Sequence, residues 1–266
     1  MAEQWIFVTG GASGIGRATA VHFAAKGWRV ALADIDAAGM AETEAMIGVE
    51  RCPTYILDVT RRADWAEAMQ AFARDSGGRL DCLFNNAGLG IGGPIGTMQD
   101  ADIDLVLDVN LHGVIHGIRA ALPLLRDTAA RAGRAAILST CSAAGIYGSA
   151  GLSIYSATKF AVRGLTEALD IELAPENIRV RSIMPGFIDT PLLDRVEPIS
   201  NRSTREIVRA AGLEFTPVEK VAEAAWDAVH GDRLHTVVGP TARRLAFAAR
   251  WMPGRLRRRM GVLAAR

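Results

Sequence analysis

The sequence predicts an α/β fold: one doubly wound parallel sheet with helices on both faces. Three observations point there. Short apolar runs alternate with longer amphipathic stretches along the chain, the rhythm of strands joined by helical crossovers. A glycine-rich segment, Thr9 to Gly16 (TGGASGIG), separates the first apolar run from the first amphipathic stretch. The chain of 266 residues shows no internal repeat or low-complexity stretch, which suits a single open-sheet domain.

The elements follow in order. WIFVTG is a first strand, followed by a helix over 14–26. WRVALAD and a helix over 36–48 come next, then PTYILDV and a helix over 62–75. LDCLFNN precedes a long helix over 101–127, RAAILST a helix over 155–174, and IRVRSIMPG a helix over 217–230 before HTVVG. The apolar runs are near-continuous rather than alternating, as in strands buried on both faces. Right-handed crossovers then place ligands at the carboxyl ends of the strands.

Composition narrows the class. Thirty basic and 29 acidic residues give a net charge of +1, but the balance is uneven. Residues 241–266 hold eight arginines and no acid, which leaves the remainder at −7. The charge is too localised to favour nucleic-acid binding. The N-terminus lacks a basic segment followed by a long apolar run, and no later segment reads as an uncharged membrane span. Cys52, Cys82 and Cys141 are widely spaced, without a CxxC or a histidine cluster. Reduced thiols, no metal site and a cytoplasmic location are the expectation.

The residues after the strand ends carry the chemistry. Gly10, Ser13, Gly14, Ile15 and Gly16 form a tight turn opening into a helix, where backbone N–H groups meet a pyrophosphate at the positive helix end. Asp34 ends the second strand, placed to accept hydrogen bonds from both adenosine ribose hydroxyls and to repel a 2′-phosphate. No basic residue stands at Ser13, Ile35 or Asp36, and Arg17 reads equally as a surface charge. NAD is therefore expected over NADP. Asp36 reads as the cap of the next helix. Asp58, with Val59, is placed either at the adenine edge or as an ordinary turn residue.

YSATK sets Tyr155 and Lys159 four residues apart, on one face of a helix. A free tyrosine is too weak a base at neutral pH, and an adjacent ammonium favours its phenolate. Lys159 is thus expected to lower the Tyr155 pKa. The pair then takes a proton from an alcohol or gives one to a carbonyl.

TGGASGIG, NNAG (Asn85 to Gly88), Asn110 in LDVNLHG, Ser142 in STCSAAG, YSATK and PGFIDTP (Pro185 to Pro191) occur in order between Thr9 and Pro191. In this set the chain resembles the short-chain dehydrogenase/reductase family. The resemblance implies a Rossmann-like catalytic domain. It implies Asn110, Ser142, Tyr155 and Lys159 as the catalytic group, with Ser142 polarising the substrate oxygen and Lys159 also gripping the nicotinamide ribose. An asparagine matching Asn110 anchors a water that links the lysine to solvent. Asn86, Ala87 and Gly88 border the cofactor, as do Pro185 and Gly186, and Ile188 and Thr190 match positions at the nicotinamide carboxamide. The helices near 101–127 and 155–174 pair between subunits in that family, so a homodimer or larger homo-oligomer is expected.

Substrate choice falls to residues 89–98, 143–154 and 189–215. The first two contain no charge, which favours an apolar secondary alcohol or ketone. The third carries Arg195, Arg202, Arg205 and Arg209, which leaves an acidic substrate open. Cys141, beside Ser142, reads as packing rather than nucleophile. Residues 1–240 form the catalytic domain and 241–266 a basic amphipathic tail. Leu245, Ala248 and Met252 share one face of that tail, Leu256, Met260 and Leu263 another, and Pro253-Gly254 breaks it. The tail is suited to an acidic neighbouring subunit or, less favoured, to an anionic membrane surface. Two other functions stay open: a cofactor-binding scaffold or regulator without redox turnover, and non-redox use of the same site.

Overall fold

Seven strands form one parallel sheet: Trp5–Thr9 (β1), Arg29–Asp34 (β2), Thr54–Ile56 (β3), Cys82–Asn85 (β4), Ala135–Thr140 (β5), Ile178–Pro185 (β6) and His235–Val238 (β7). Their order is β3-β2-β1-β4-β5-β6-β7, every pair parallel. The computed structural model describes residues 3–48, 52–194, 203–210 and 212–264. The helices are Gly14–Ala25 (α1), Ala37–Ile47 (α2), Arg62–Asp75 (α3), Asp100–Leu107 (α4), Gly113–Ala132 (α5), Ser153–Leu173 (α6), Thr204–Ala210 (α7), Val218–His230 (α8), Pro240–Trp251 (α9) and Pro253–Ala264 (α10).

The alternation of side chains along β1 builds two core layers. Trp5 and Phe7 face one layer with Tyr55, Trp65, Phe72, Leu83 and the buried stripe of α5. Ile6 and Val8 face the other, with Phe23, Trp28, Leu32, Phe84 and the apolar side of α8. Both faces of the sheet are therefore covered, which is why its strands read as unbroken apolar runs. Strand order reverses between β1 and β4, the point outside whose strand ends open α/β sheets bind ligands. Cys52, Cys82 and Cys141 are all buried free thiols.

The structure departs from the sequence pattern in three places. The single helix expected over 101–127 is α4 and α5 joined by a π-turn, Asp108–His112, closed by the Gly113 N–H donating to Asp108 O. Such a turn inserts one extra residue and re-aims its neighbours, here Asn110. The run 100–132 has the length and mean hydropathy of a membrane span, yet Val114, Ile118, Ala121, Leu125 and Ala129 are buried against the sheet. It is a core helix. β3 is shorter than its apolar run, and α7 forms inside the segment expected to be loop. The break at Pro253 falls as its missing N–H dictates, between α9 and α10.

Candidate active site

The loop after β1 is shaped by approaches that only glycine allows. A Cβ on Gly16 would stand 2.0 Å from Gly10 O, and one on Gly10 would stand 2.9 Å from Asn86 Nδ2. Gly10 and Gly14 also take positive φ, 67° and 52°. Ser13 caps α1 without a side-chain hydrogen bond, so no side chain competes for the first N–H groups of the helix. Asp34 is held at the rim: Oδ2 accepts from Ala12 N–H at 3.0 Å and Oδ1 from Asp36 N–H at 3.1 Å. A carboxylate oxygen has lone pairs left for ribose hydroxyls. Thr190 lies against Gly14, its Cγ2 3.3 Å from where a Cβ would be. A cradle closed to side chains, a helix end and an oriented carboxylate fit a dinucleotide. Gly10 to Gly16 would hold the pyrophosphate, Asp34 the adenosine ribose, and Ile188 with Thr190 the nicotinamide end.

The neighbouring residues are engaged within the chain. Asp58 Oδ1 accepts from both Thr60 N–H (2.9 Å) and Thr60 Oγ1 (2.7 Å), the bonding of a turn residue. Val59 is buried, and its carbonyl accepts from Trp65 Nε1. Asp36 caps α2 through Gly39 N–H. Arg17 is turned toward α2. It donates to Ala12 O, Thr43 Oγ1 and Gly39 O and pairs with Glu42 at 2.7 Å.

Ser142 follows β5, and Tyr155 and Lys159 stand on the first turns of α6. The Ser142 hydroxyl bonds the Tyr155 phenol and accepts from Ala144 N–H at 3.1 Å. Lys159 is buried, and its Nζ donates to Thr140 O at 3.0 Å. Asn110 is fully buried and spends its amide on one peptide, accepting from Leu89 N–H at 2.9 Å and donating to Leu89 O at 2.8 Å. Gly88 lies between the two: a Cβ there would be 3.1 Å from Asn110 Oδ1 and 3.7 Å from Lys159 Nζ. The four candidate residues are thus gathered at one place.

The electrostatics correct one expectation. Burial pushes the Tyr155 phenol above its usual value, and the Ser142 hydrogen bond only partly offsets this. Lys159 does not reverse this shift. Its Nζ is 5.5 Å from the Tyr155 ring centroid and is turned to the Thr140 carbonyl. Burial also lowers the lysine itself to about 8, because a desolvated ammonium is disfavoured. Cys141 is buried, donates to Lys159 O, and has its thiol pushed up by burial. It packs in the core.

The two uncharged loops meet beside this group. Gly93 N–H donates to Gly151 O at 2.7 Å, and Gly92 allows no side chain against Leu152. Among the arginines of 189–215, Arg205 pairs with Asp189 and, at 2.5 Å, with Asp194, and donates to Thr190 O at 3.1 Å. Arg205 and Arg209 also lie over Phe215. Arg195 and Arg202 are outside the described residues. Two roles escaped the sequence reading because their motifs carry no signal for them, those of Thr9 and Thr140, and Arg205 was read only as a charge. Among the described residues no metal-binding cluster of His, Cys, Asp or Glu occurs. A separate groove of about 1390 Å³ runs along α8, β7 and α9 past Asp227, Arg233 and Arg243, and no candidate residue lines it.

A family model described as short chain dehydrogenase matches residues 4–200. Levodione reductase of Leifsonia aquatica is 35% identical over 222 residues, 81% of this chain and 80% of the relative. The 3-alpha-(or 20-beta)-hydroxysteroid dehydrogenase of Mycobacterium tuberculosis is 40% identical over 194 residues, 71% and 70%. A short chain dehydrogenase/reductase of Burkholderia phymatum in complex with NAD superposes with a TM-score of 0.82 at 27% identity, covering 97% of this chain and 95% of its own.

Arg205 fixes α7 to the segment that follows Ile188. Arg205→Ala is expected to lower kcat/KM by roughly tenfold, through loss of positioning. Arg205→Lys should restore little, because an ammonium cannot bridge two carboxylates and a carbonyl as a planar fork does. Steady-state kinetics of the three proteins check this.

Proposed function

Because this chain belongs to the short-chain dehydrogenase/reductase family and is an oxidoreductase of alcohols and ketones, we propose that it is NAD-dependent, uses Tyr155 as its general acid/base, and acts on an apolar secondary alcohol or its ketone. The convergence of Ser142, Tyr155 and Lys159 at the end of β5 carries the reading. Bound nicotinamide supplies or accepts the hydride. Tyr155 moves the proton: its phenolate takes the hydroxyl proton during oxidation, and its phenol gives one to the carbonyl oxygen during reduction. Ser142 holds the same oxygen. Asn110 fixes the Leu89 peptide beside Lys159, and Lys159 anchors the ribose.

Substrate class is supported by the charge pattern. The joined loops 89–98 and 143–154 contain no ion, and Arg205 is committed to Asp189 and Asp194. The two relatives are named for levodione and for hydroxysteroids, in keeping with an apolar pocket. NAD preference is supported by Asp34 at the rim and by Arg17 being spent on α2. A homo-oligomer is supported by Leu105, Phe160 and Ile171, large apolar side chains exposed on α4 and α6.

Tyr155→Phe is expected to lower turnover by a factor of about 10² to 10⁴ and to leave NAD binding near its starting value. Retained turnover would sink the assignment. Asp34→Ala should narrow the NAD to NADP preference by roughly 10- to 100-fold, the worth of hydrogen bonds to a charged group plus the lost repulsion. Equal affinity for both cofactors in the unaltered protein would reject the preference.

The pH profile has a definite sign. Oxidation needs the phenolate, whose formation burial opposes, so kcat/KM for the alcohol should climb toward alkaline pH. Reduction needs the phenol and should stay level through neutrality. Lys159 is charged below about 8 and favours the phenolate there. Lys159→Met should therefore lower kcat/KM for the alcohol most below about pH 8, which initial-rate profiles in both directions will show.

A further inference from the structure

We propose that the outward face of α9, with the arginines of α10, is a docking surface for an anionic phospholipid bilayer. The sequence pattern singled out Leu245, Ala248 and Met252 as the apolar face. The structure turns these partly inward and buries Leu256 and Ala242. What remains outside on α9 is a different pair, Phe247 and Trp251, 59% and 65% exposed and one turn apart. Arg243, Arg244 and Arg250 flank them, all exposed, with Arg250 lying 5.3 Å over the Trp251 ring. α10 adds Arg255, Arg257, Arg258 and Arg259, also exposed. Residues 241–266 contain no acid. Arg244 pairs with Glu214 at 3.8 Å with both side chains mostly exposed, a contact that solvent screens. Arg266 and the Leu263 side chain lie outside the described residues.

An aromatic centre ringed by guanidinium groups matches a headgroup layer. The rings enter to headgroup depth while the arginines meet phosphates. A second copy fits less well, since a two-fold contact centred on this face would set arginine against arginine. Nucleic acid would account for the arginines and could stack bases on the two rings, but the charge is confined to one short tail. The inner side of α9 touches the turn Ala143–Gly145 and packs Ala242 on Gly186. The docking helix is therefore also a wall of the candidate active site, and a bilayer holds the apolar compounds proposed as substrates. The docking itself does not depend on that substrate reading.

The test is flotation of the full chain with vesicles of phosphatidylcholine alone and of phosphatidylcholine with phosphatidylglycerol. Binding is expected to rise about tenfold or more with phosphatidylglycerol. It should collapse between about 0.1 M and about 1 M salt, as the Debye length shrinks from about 10 Å to about 3 Å. The double variant Phe247→Ser, Trp251→Ser should lose roughly tenfold in binding. The triple variant Arg257→Gln, Arg258→Gln, Arg259→Gln should lose at least as much. Both should keep vesicle-free alcohol turnover, which shows that they fold. Equal binding to both vesicles, absence of binding to either, or unchanged binding in both variants would overturn the proposal. A changed elution volume of the aromatic variant would assign the face to a second copy, and nuclease-sensitive co-elution would assign it to nucleic acid; either overturns it.

Discussion

The site depends on a knot tied by the Asn86 side chain. Its Nδ2 donates to Thr9 O at 3.0 Å, and its Oδ1 accepts from Thr140 Oγ1 at 3.0 Å. Thr9 returns the bond, its hydroxyl accepting from Asn86 and Ala87 N–H groups at 2.9 and 3.0 Å. The ends of β1, β4 and β5 are thereby fixed to one another where the sheet changes direction. The Thr140 carbonyl, in turn, accepts from Lys159. A short polar chain thus runs from the glycine loop to the catalytic group, within a core where each unpaired group would be costly.

This knot explains which parts of the site were legible in the sequence. Glycines announce themselves, because the approach of Gly16 to Gly10 O excludes every other residue. The spacing of Tyr155 and Lys159 announces a shared helix face. Thr9 and Thr140 do not, since a threonine at a strand end is indistinguishable from any other until its partners are placed. Arg205 was seen only as a charge. Its role lies in two aspartates and a carbonyl whose approach depends on α7, a helix too short to read from periodicity.

The fold was legible for a related reason. Strands buried on both faces leave unbroken apolar runs, and helices on a sheet leave stripes. Both survive without knowledge of contacts. The π-turn at Asp108–His112 leaves no such trace, because it changes hydrogen-bond register without changing hydrophobic pattern. It nevertheless points Asn110 at the Leu89 peptide. Electrostatics were the least legible of all. The sign of the Tyr155 shift is set by how much solvent is excluded and where the Lys159 amine points, and neither is a property of spacing.

A buried tyrosine with a raised pKa is still suited to reversible proton transfer. In carbonyl reduction the group must begin protonated, and burial secures that. In alcohol oxidation it must begin ionised, and the two neighbours that favour the phenolate act differently. Ser142 acts by a direct hydrogen bond. Lys159 acts at longer range, by a charge that burial has already weakened. A second positive charge close to Lys159 would weaken that ammonium further, whereas one closer to the phenol would help it ionise. The direction this site favours is therefore set by where positive charge lies relative to Tyr155, with Lys159 as the adjustable member of the pair.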